Sequence, residues 1–129
     1  MLDQSLIKAA KQAASNSYSP YSQFKVGACV VTDDGNHYSG TNVENASLGL
    51  TICAERSAIC QAISQGSRGL QTVVVYTPTK TPTAPCGACR QFIREFSKGV
   101  DTRIFSVCDS EDVLDTTINH LLPHAFSDF

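Results

Sequence analysis

The sequence has no apolar run approaching the length of a bilayer span, so no membrane-spanning helix is expected. It also has no surplus of positive charge. Ten Lys and Arg stand against twelve Asp and Glu, a formal net charge of -2, which argues against a strongly basic nucleic-acid-binding surface. It lacks internal repeats and low-complexity linkers. Its opening residues, Met1 to Ala14, lack the continuous apolar core of a secretory signal. Asp3 and spaced polar residues make them an amphipathic helix instead, and a cytosolic or nuclear protein is expected, cytoplasmic in the first instance. What is present fits a folded domain: 42% hydrophobic and 17% charged residues, in a chain of 129 residues too short to divide into two stable cores. One domain over 1–129 follows.

Cysteine is not scarce. Six occur, at positions 29, 53, 60, 86, 89 and 108. Without a secretion signal they are poor candidates for disulfides, which leaves burial, metal binding or catalysis.

The pattern along the chain predicts helix over 2–15, with Leu2, Leu6, Ile7, Ala10 and Ala14 on one face. It predicts strand over 24–31, a hairpin turn at 33–36 and an antiparallel strand over 37–42. Helix follows over 53–65, strand over 70–76, a Thr/Pro-rich loop over 77–85, and helix over 86–97 with Ala88, Phe92, Ile93 and Phe96 inward. Strand over 103–108 and a short helix or turn over 116–122 complete the order. Strands alternating with crossover helices call for one sheet covered on both faces, a three-layer sandwich. Charge is uneven along the chain. Residues 1–100 hold nine bases and six acids, and residues 101–129 hold one base and six acids. An acidic tail near the site would repel a polynucleotide more than a neutral nucleoside.

Two motifs carry chemistry. Pro85-Cys86-Gly87-Ala88-Cys89 alone is ambiguous between a redox pair, half a metal site and core cysteines. Cys53-Ala54-Glu55 changes the balance. Cys53 and Cys86 each open a predicted helix, where unpaired N–H groups and the helix dipole favour thiolate. Three thiolates fill three corners of a tetrahedron, and an open fourth corner for water marks a catalytic zinc site. Glu55, two residues past Cys53, can face that corner as proton carrier. A Cys-x-Glu followed by Pro-Cys-x-x-Cys is the signature of zinc deaminases. Three thiolates leave the metal with excess negative charge, and Arg56 can withdraw some of it by hydrogen bonding to sulfur. The plainer reading of Arg56 is an exposed helix arginine. Cys29, Cys60 and Cys108 read as core residues, and His37, His120 and His124 as surface or interface residues.

The chain resembles the small homotetrameric cytidine deaminase family. The resemblance covers most of the sequence, through Phe24-Lys25-Val26-Gly27-Ala28, Asn42-Val43-Glu44-Asn45-Ala46, Cys53 to Ala58, Pro85 to Gln91 and Leu121 to Phe126. It implies an α/β/α sandwich around a five-stranded mixed sheet, and a homotetramer with shared active sites. It implies one Zn2+ per subunit, held by Cys53, Cys86 and Cys89, with Glu55 catalytic. It implies Asn42 and Glu44 as ribose ligands reaching the 3'-hydroxyl. Phe24 lines the nucleoside pocket, Ala54 offers its N–H to the pyrimidine carbonyl, and Phe126 packs on the base in a neighbouring subunit. Four of these residues have a plainer role: Asn42 a cap, Glu44 a loop acid, Phe24 core, Phe126 a docking plug. The implied activity is hydrolytic deamination of cytidine and 2'-deoxycytidine in pyrimidine salvage. Alternatives are a modified nucleoside or nucleoside antibiotic as substrate, a base within RNA or DNA, or a structural zinc module. An intact Glu55 and a three-ligand set weigh against the module. A Glu44 carboxylate, suited to a free 3'-hydroxyl and repelling phosphate, weighs against nucleic acid. The sequence departs from the family at Leu48, where many relatives carry Tyr, and at His124, where a small or apolar residue is commoner.

Overall fold

A computed structural model describes residues 2–127. The first helix, α1 (Gln4–Ala14), starts where Asp3 accepts a hydrogen bond from the Ser5 N–H at 2.9 Å, a short polar side chain serving as cap. Its buried residues Leu6, Ala10 and Ala14 recur every four positions. The hairpin β1 (Gly27–Thr32) and β2 (His37–Thr41) follows. Next come a single 3-10 turn (Leu48–Leu50), α2 (Ala54–Ser64), β3 (Leu70–Tyr76), α3 (Gly87–Glu95), β4 (Arg103–Val107), β5 (Leu114–Thr117) and the short α4 (Ile118–Leu121).

The strands form one mixed sheet in the order β2-β1-β3-β4-β5. Only β3 and β4 are parallel, and α3 supplies the crossover connection that a parallel pair requires. The other three pairs are antiparallel. Side chains alternate across the sheet and both faces are covered. Cys29, Val74, Phe105 and Val107 meet Leu6 and Ala10 of α1. Ala28, Val30, Val73, Val75 and Ile104 meet Ala58, Ile59 and Ala62 of α2, Ile93 of α3 and Ile118 of α4. This is the three-layer sandwich expected from the sequence. Among the described residues no helix is long and apolar enough to cross a membrane.

Two glycines set how closely the helices approach. A Cβ at Gly27 would lie 1.9 Å from the Ala10 carbonyl oxygen of α1, and one at Gly40 would lie 2.3 Å from the Ala58 nitrogen of α2. At both points backbone packs on backbone, and only hydrogen fits between.

Three sequence expectations change. The pattern along the chain gives a short helix or turn over 116–122, where the structure has the end of a strand, β5, followed by α4. The strand Leu-Asp-Thr-Thr is exposed or half-buried on an edge and carries no apolar alternation; its register follows from pairing with β4. Ala88 is exposed, and Cys89 takes the inward position on α3. Cys60 is exposed. Cys53 lies before the first turn of α2, so its spacing to Cys60 does not report the buried stripe, which runs through Ala54, Glu55, Ala58, Ile59 and Ala62. Cys29 and Cys108 are buried as expected.

Candidate metal centre and active site

The crossovers place the starts of α2 and α3 side by side. Cys53 and Cys86 occupy the residue before each helix, in extended conformation, and neither side chain caps its own helix. Their sulfurs lie 3.9 Å apart. Cys89, one turn into α3 and fully buried, brings the third sulfur within 4.8 Å of both. A tetrahedral zinc with Zn–S bonds of about 2.3 Å needs sulfurs about 3.8 Å apart. The donor set and its spacing therefore fit zinc. No other group of three His, Cys, Asp or Glu side chains gathers this closely among the described residues.

The thiols are electrostatically unequal. Cys53 is held down to about 5, first by the Cys89 thiol donating to it, then by hydrogen bonds from Arg56 and Cys86. Cys89 moves up for the same reason, its proton being shared with Cys53, with burial and the Glu55 charge adding to the effect. Arg56 is half-buried rather than exposed. Its Nη2 lies 3.4 Å from the Cys53 sulfur and 3.4 Å from the Thr51 carbonyl oxygen, while its Nε is buried without a partner. A buried, unpaired guanidinium N–H beside a thiolate cluster is a donor available to a further sulfur.

Glu55 is 4% exposed. Burial, aided by the nearby Cys53 charge, pushes its carboxyl up to about 7. A carboxyl poised near neutrality can both take and give a proton.

In front of these residues is a cavity of about 430 Å3, in the range of small-molecule sites. Phe24, Asn42, Glu44, Cys53, Ala54 and Glu55 all line it. Phe24 lies ahead of the first strand and is 39% exposed, so it is pocket wall rather than core. Asn42 is buried. Its Oδ1 accepts from the Val26 N–H at 3.1 Å and the Ser17 hydroxyl, and its Nδ2 donates to the Phe24 carbonyl at 2.7 Å. It thus fixes the segment bearing Phe24 and keeps one amide N–H in reserve. Glu44 accepts from the N–H groups of Tyr21 and Ser22 at 3.0 and 3.1 Å and from the Ser22 hydroxyl. The Ser22 hydroxyl bond is the main reason its carboxyl sits below the usual range, so it is ionised near neutrality.

Phe126 does not line the cavity of its own chain. It is 66% exposed, and its carbonyl accepts from the Gln91 side-chain amide at 2.7 Å. Thr51, Thr77, Thr83 and Ala84 also line the cavity and were not foreseen. Thr77, Thr83 and Ala84 belong to the loop that leads into Cys86 and Thr51 to the segment that leads into Cys53, and a loop entering a ligand residue becomes pocket wall. A second hollow of about 440 Å3 lies between α1, β2 and α2, lined by Gln12, Asn16, Ser39, Ser57 and Gln61 among others. It contains no titratable side chain and no reactive group.

Comparison with known proteins agrees with this geometry. Residues 1–106 match the family described as the cytidine and deoxycytidylate deaminase zinc-binding region. The chain is 45% identical over 124 residues to a cytidine deaminase of Halalkalibacterium halodurans, covering 96% of this chain and 93% of that one. A cytidine deaminase of Sporosarcina psychrophila is 43% identical over 122 residues, covering 95% and 89%. Among solved structures, a cytidine deaminase from Burkholderia pseudomallei superposes with a TM-score of 0.91 at 45% identity, over 98% of this chain and all of that one.

Proposed function

The chain belongs to the cytidine deaminase family, and from that premise we propose that it hydrolyses cytidine and 2'-deoxycytidine to uridine and 2'-deoxyuridine, releasing ammonia. The observation that carries this reading is a buried Glu55 two residues from Cys53, both opening on a nucleoside-sized cavity. Cys53, Cys86 and Cys89 hold one zinc per subunit. When bound, zinc acts as a Lewis acid that makes water nucleophilic at neutral pH. Glu55 takes a proton from the water that attacks C4 and delivers it to ring N3; it then takes the remaining proton of the hydroxyl added at C4 and gives it to the departing amine, leaving the C4 carbonyl of the product. The Ala54 N–H, unpaired at the first turn of α2, donates to the pyrimidine carbonyl. Asn42 and Glu44 bind the ribose, with the ionised Glu44 accepting from the 3'-hydroxyl. Arg56 donates to thiolate sulfur and so drains charge from the metal site. Burial of Glu55 keeps bulk water from exchanging its proton.

The functional unit is a homotetramer, in a single domain over 1–129 and in the cytoplasm. Six unpaired cysteines suit a reducing compartment. Leu48, Leu50 and Ile52 are 73%, 64% and 43% exposed in the segment that enters Cys53, beside Val43 at 41%. A second copy covering this apolar surface also brings a neighbouring Phe126 over the base. The reading is tested by ammonia release on adding cytidine, its loss on chelation and its return with zinc. A zinc-loaded protein that releases no ammonia from either nucleoside overturns it.

A further inference from the structure

The three thiols are not equally well held. Cys89 is sealed in the core and Cys53 is backed by Arg56, but Cys86 is exposed at the end of the 77–85 loop. Its support comes from Arg90, one turn further along α3. The Arg90 Nε donates to the Pro85 carbonyl at 2.8 Å, and its backbone N–H donates to the Cys86 carbonyl at 3.0 Å. Pro85 is buried and has no N–H, so that carbonyl is the one backbone polar group it must satisfy. The Arg90 Nη1 donates at 3.1 Å to the carbonyl of Leu121, the last residue of α4. From there the chain runs to Phe126, whose carbonyl is taken by Gln91, the next residue on α3. One rigid guanidinium therefore fixes the peptide in front of a metal ligand and the root of the carboxy-terminal segment.

We infer that Arg90 is a positioning residue that couples Cys86 to the carboxy-terminal segment: it sets the sulfur for zinc and, through Leu121, the placement of Phe126. The metal half of this inference stands on geometry alone. The half concerning Phe126 rests on the cytidine deaminase reading above.

The test uses the zinc-loaded full-length protein, Arg90→Ala and Arg90→Lys, each also ended after Ala125. Zinc transfer to a chromophoric chelator and KM and kcat for cytidine per bound zinc are measured. Loss of a group that orients a metal ligand weakens metal binding about 10–100-fold, and that is the expected loss for Arg90→Ala. Lysine can reach one carbonyl but not span both, so Arg90→Lys should fall between the two. Ending the parent after Ala125 should raise KM. In Arg90→Ala, where that segment is already loose, the same truncation should raise KM by a smaller factor. Parent-like zinc retention in Arg90→Ala, or KM factors that simply multiply, overturns the coupling and leaves Arg90 a merely structural residue. If Arg90→Ala does not fold, the same two outcomes are read from Arg90→Lys. If the parent releases no ammonia from cytidine, the reading of function fails, and the chelator comparison still decides whether Arg90 sets Cys86.

Discussion

Substituting Gly40 by Ala should damage the metal site from the far side of a helix. The new Cβ would lie 2.3 Å from the Ala58 nitrogen and 2.8 Å from its Cα, against an ordinary contact beginning at 3.4 Å. α2 must therefore move off β2 by about 1 Å. Overpacking of this kind costs about 1–3 kcal/mol, and backbone against backbone has little room to relax, so the upper end applies. For a chain of this size that lowers Tm by roughly 10 °C. Ala58 lies one turn into the helix that begins behind Cys53 and carries Glu55, so both move with it relative to α3. A shift of about 1 Å at reacting groups costs on the order of 10²-fold in turnover. Gly27→Ala is the matched control. Its Cβ would meet the Ala10 oxygen at 1.9 Å, displacing α1, which bears no site residue. It should destabilise at least as much while leaving turnover per folded, zinc-loaded subunit within a few-fold of the parent. Thermal melts, bound zinc and steady-state rates on all three proteins check this. Equal turnover in the two variants, or a Gly40→Ala protein that melts with the parent, would show that the Gly40 contact does not set the position of α2 at the site.

Glu44→Ala should raise KM for cytidine while barely changing it for 3'-deoxycytidine; equal losses remove Glu44 from sugar recognition. Tyr76 donates its hydroxyl to Asp109 and, chiefly through burial, is pushed up to about 12 from 10.0. A folded-state value above the unfolded one means that its contribution is complete below pH 10 and is lost as pH rises towards 12. Denaturation of Tyr76→Phe across that window should show a flatter fall in stability than the parent; parallel curves contradict the assignment. Mixing Glu55→Gln subunits with subunits ended after Ala125 should restore activity above the sum of the two, since some hybrid sites join an intact Glu55 to a neighbour's intact tail. Additive activity, with exchange shown by light scattering, places Phe126 outside the neighbour's site.

The cysteine–glutamate and cysteine–cysteine motifs were legible because helix starts impose their geometry. Once Cys53 and Cys86 each precede a helix after a crossover, convergence of their sulfurs follows from the topology. The first four strands were legible from their β-branched runs and turns. The fifth was not, because Leu114–Thr117 owes its conformation to its pairing with β4 rather than to its own pattern. Cys60 reads as core but is exposed, because it lies in α2 off the stripe of Ala54, Glu55, Ala58, Ile59 and Ala62 that the helix buries. The walls at Thr51, Thr77 and Thr83 and the double grip of Arg90 escaped detection for a related reason. They depend on which loop carbonyls and hydroxyls face one cavity, and spacing along the chain does not encode that.

The site divides its labour: three cysteines hold the metal and Glu55 moves the proton. Glu55→Gln keeps the shape of the side chain and one acceptor oxygen, puts an NH2 donor in place of the other, and cannot carry a proton. Bound zinc and ammonia release from cytidine, measured on the same preparation, test the claim most directly. Zinc content and melting behaviour should stay close to the parent, with turnover reduced by at least the ~10²–10⁴-fold that positioned proton transfer contributes. A Glu55→Gln protein that binds zinc and releases ammonia at near the parental rate contradicts it.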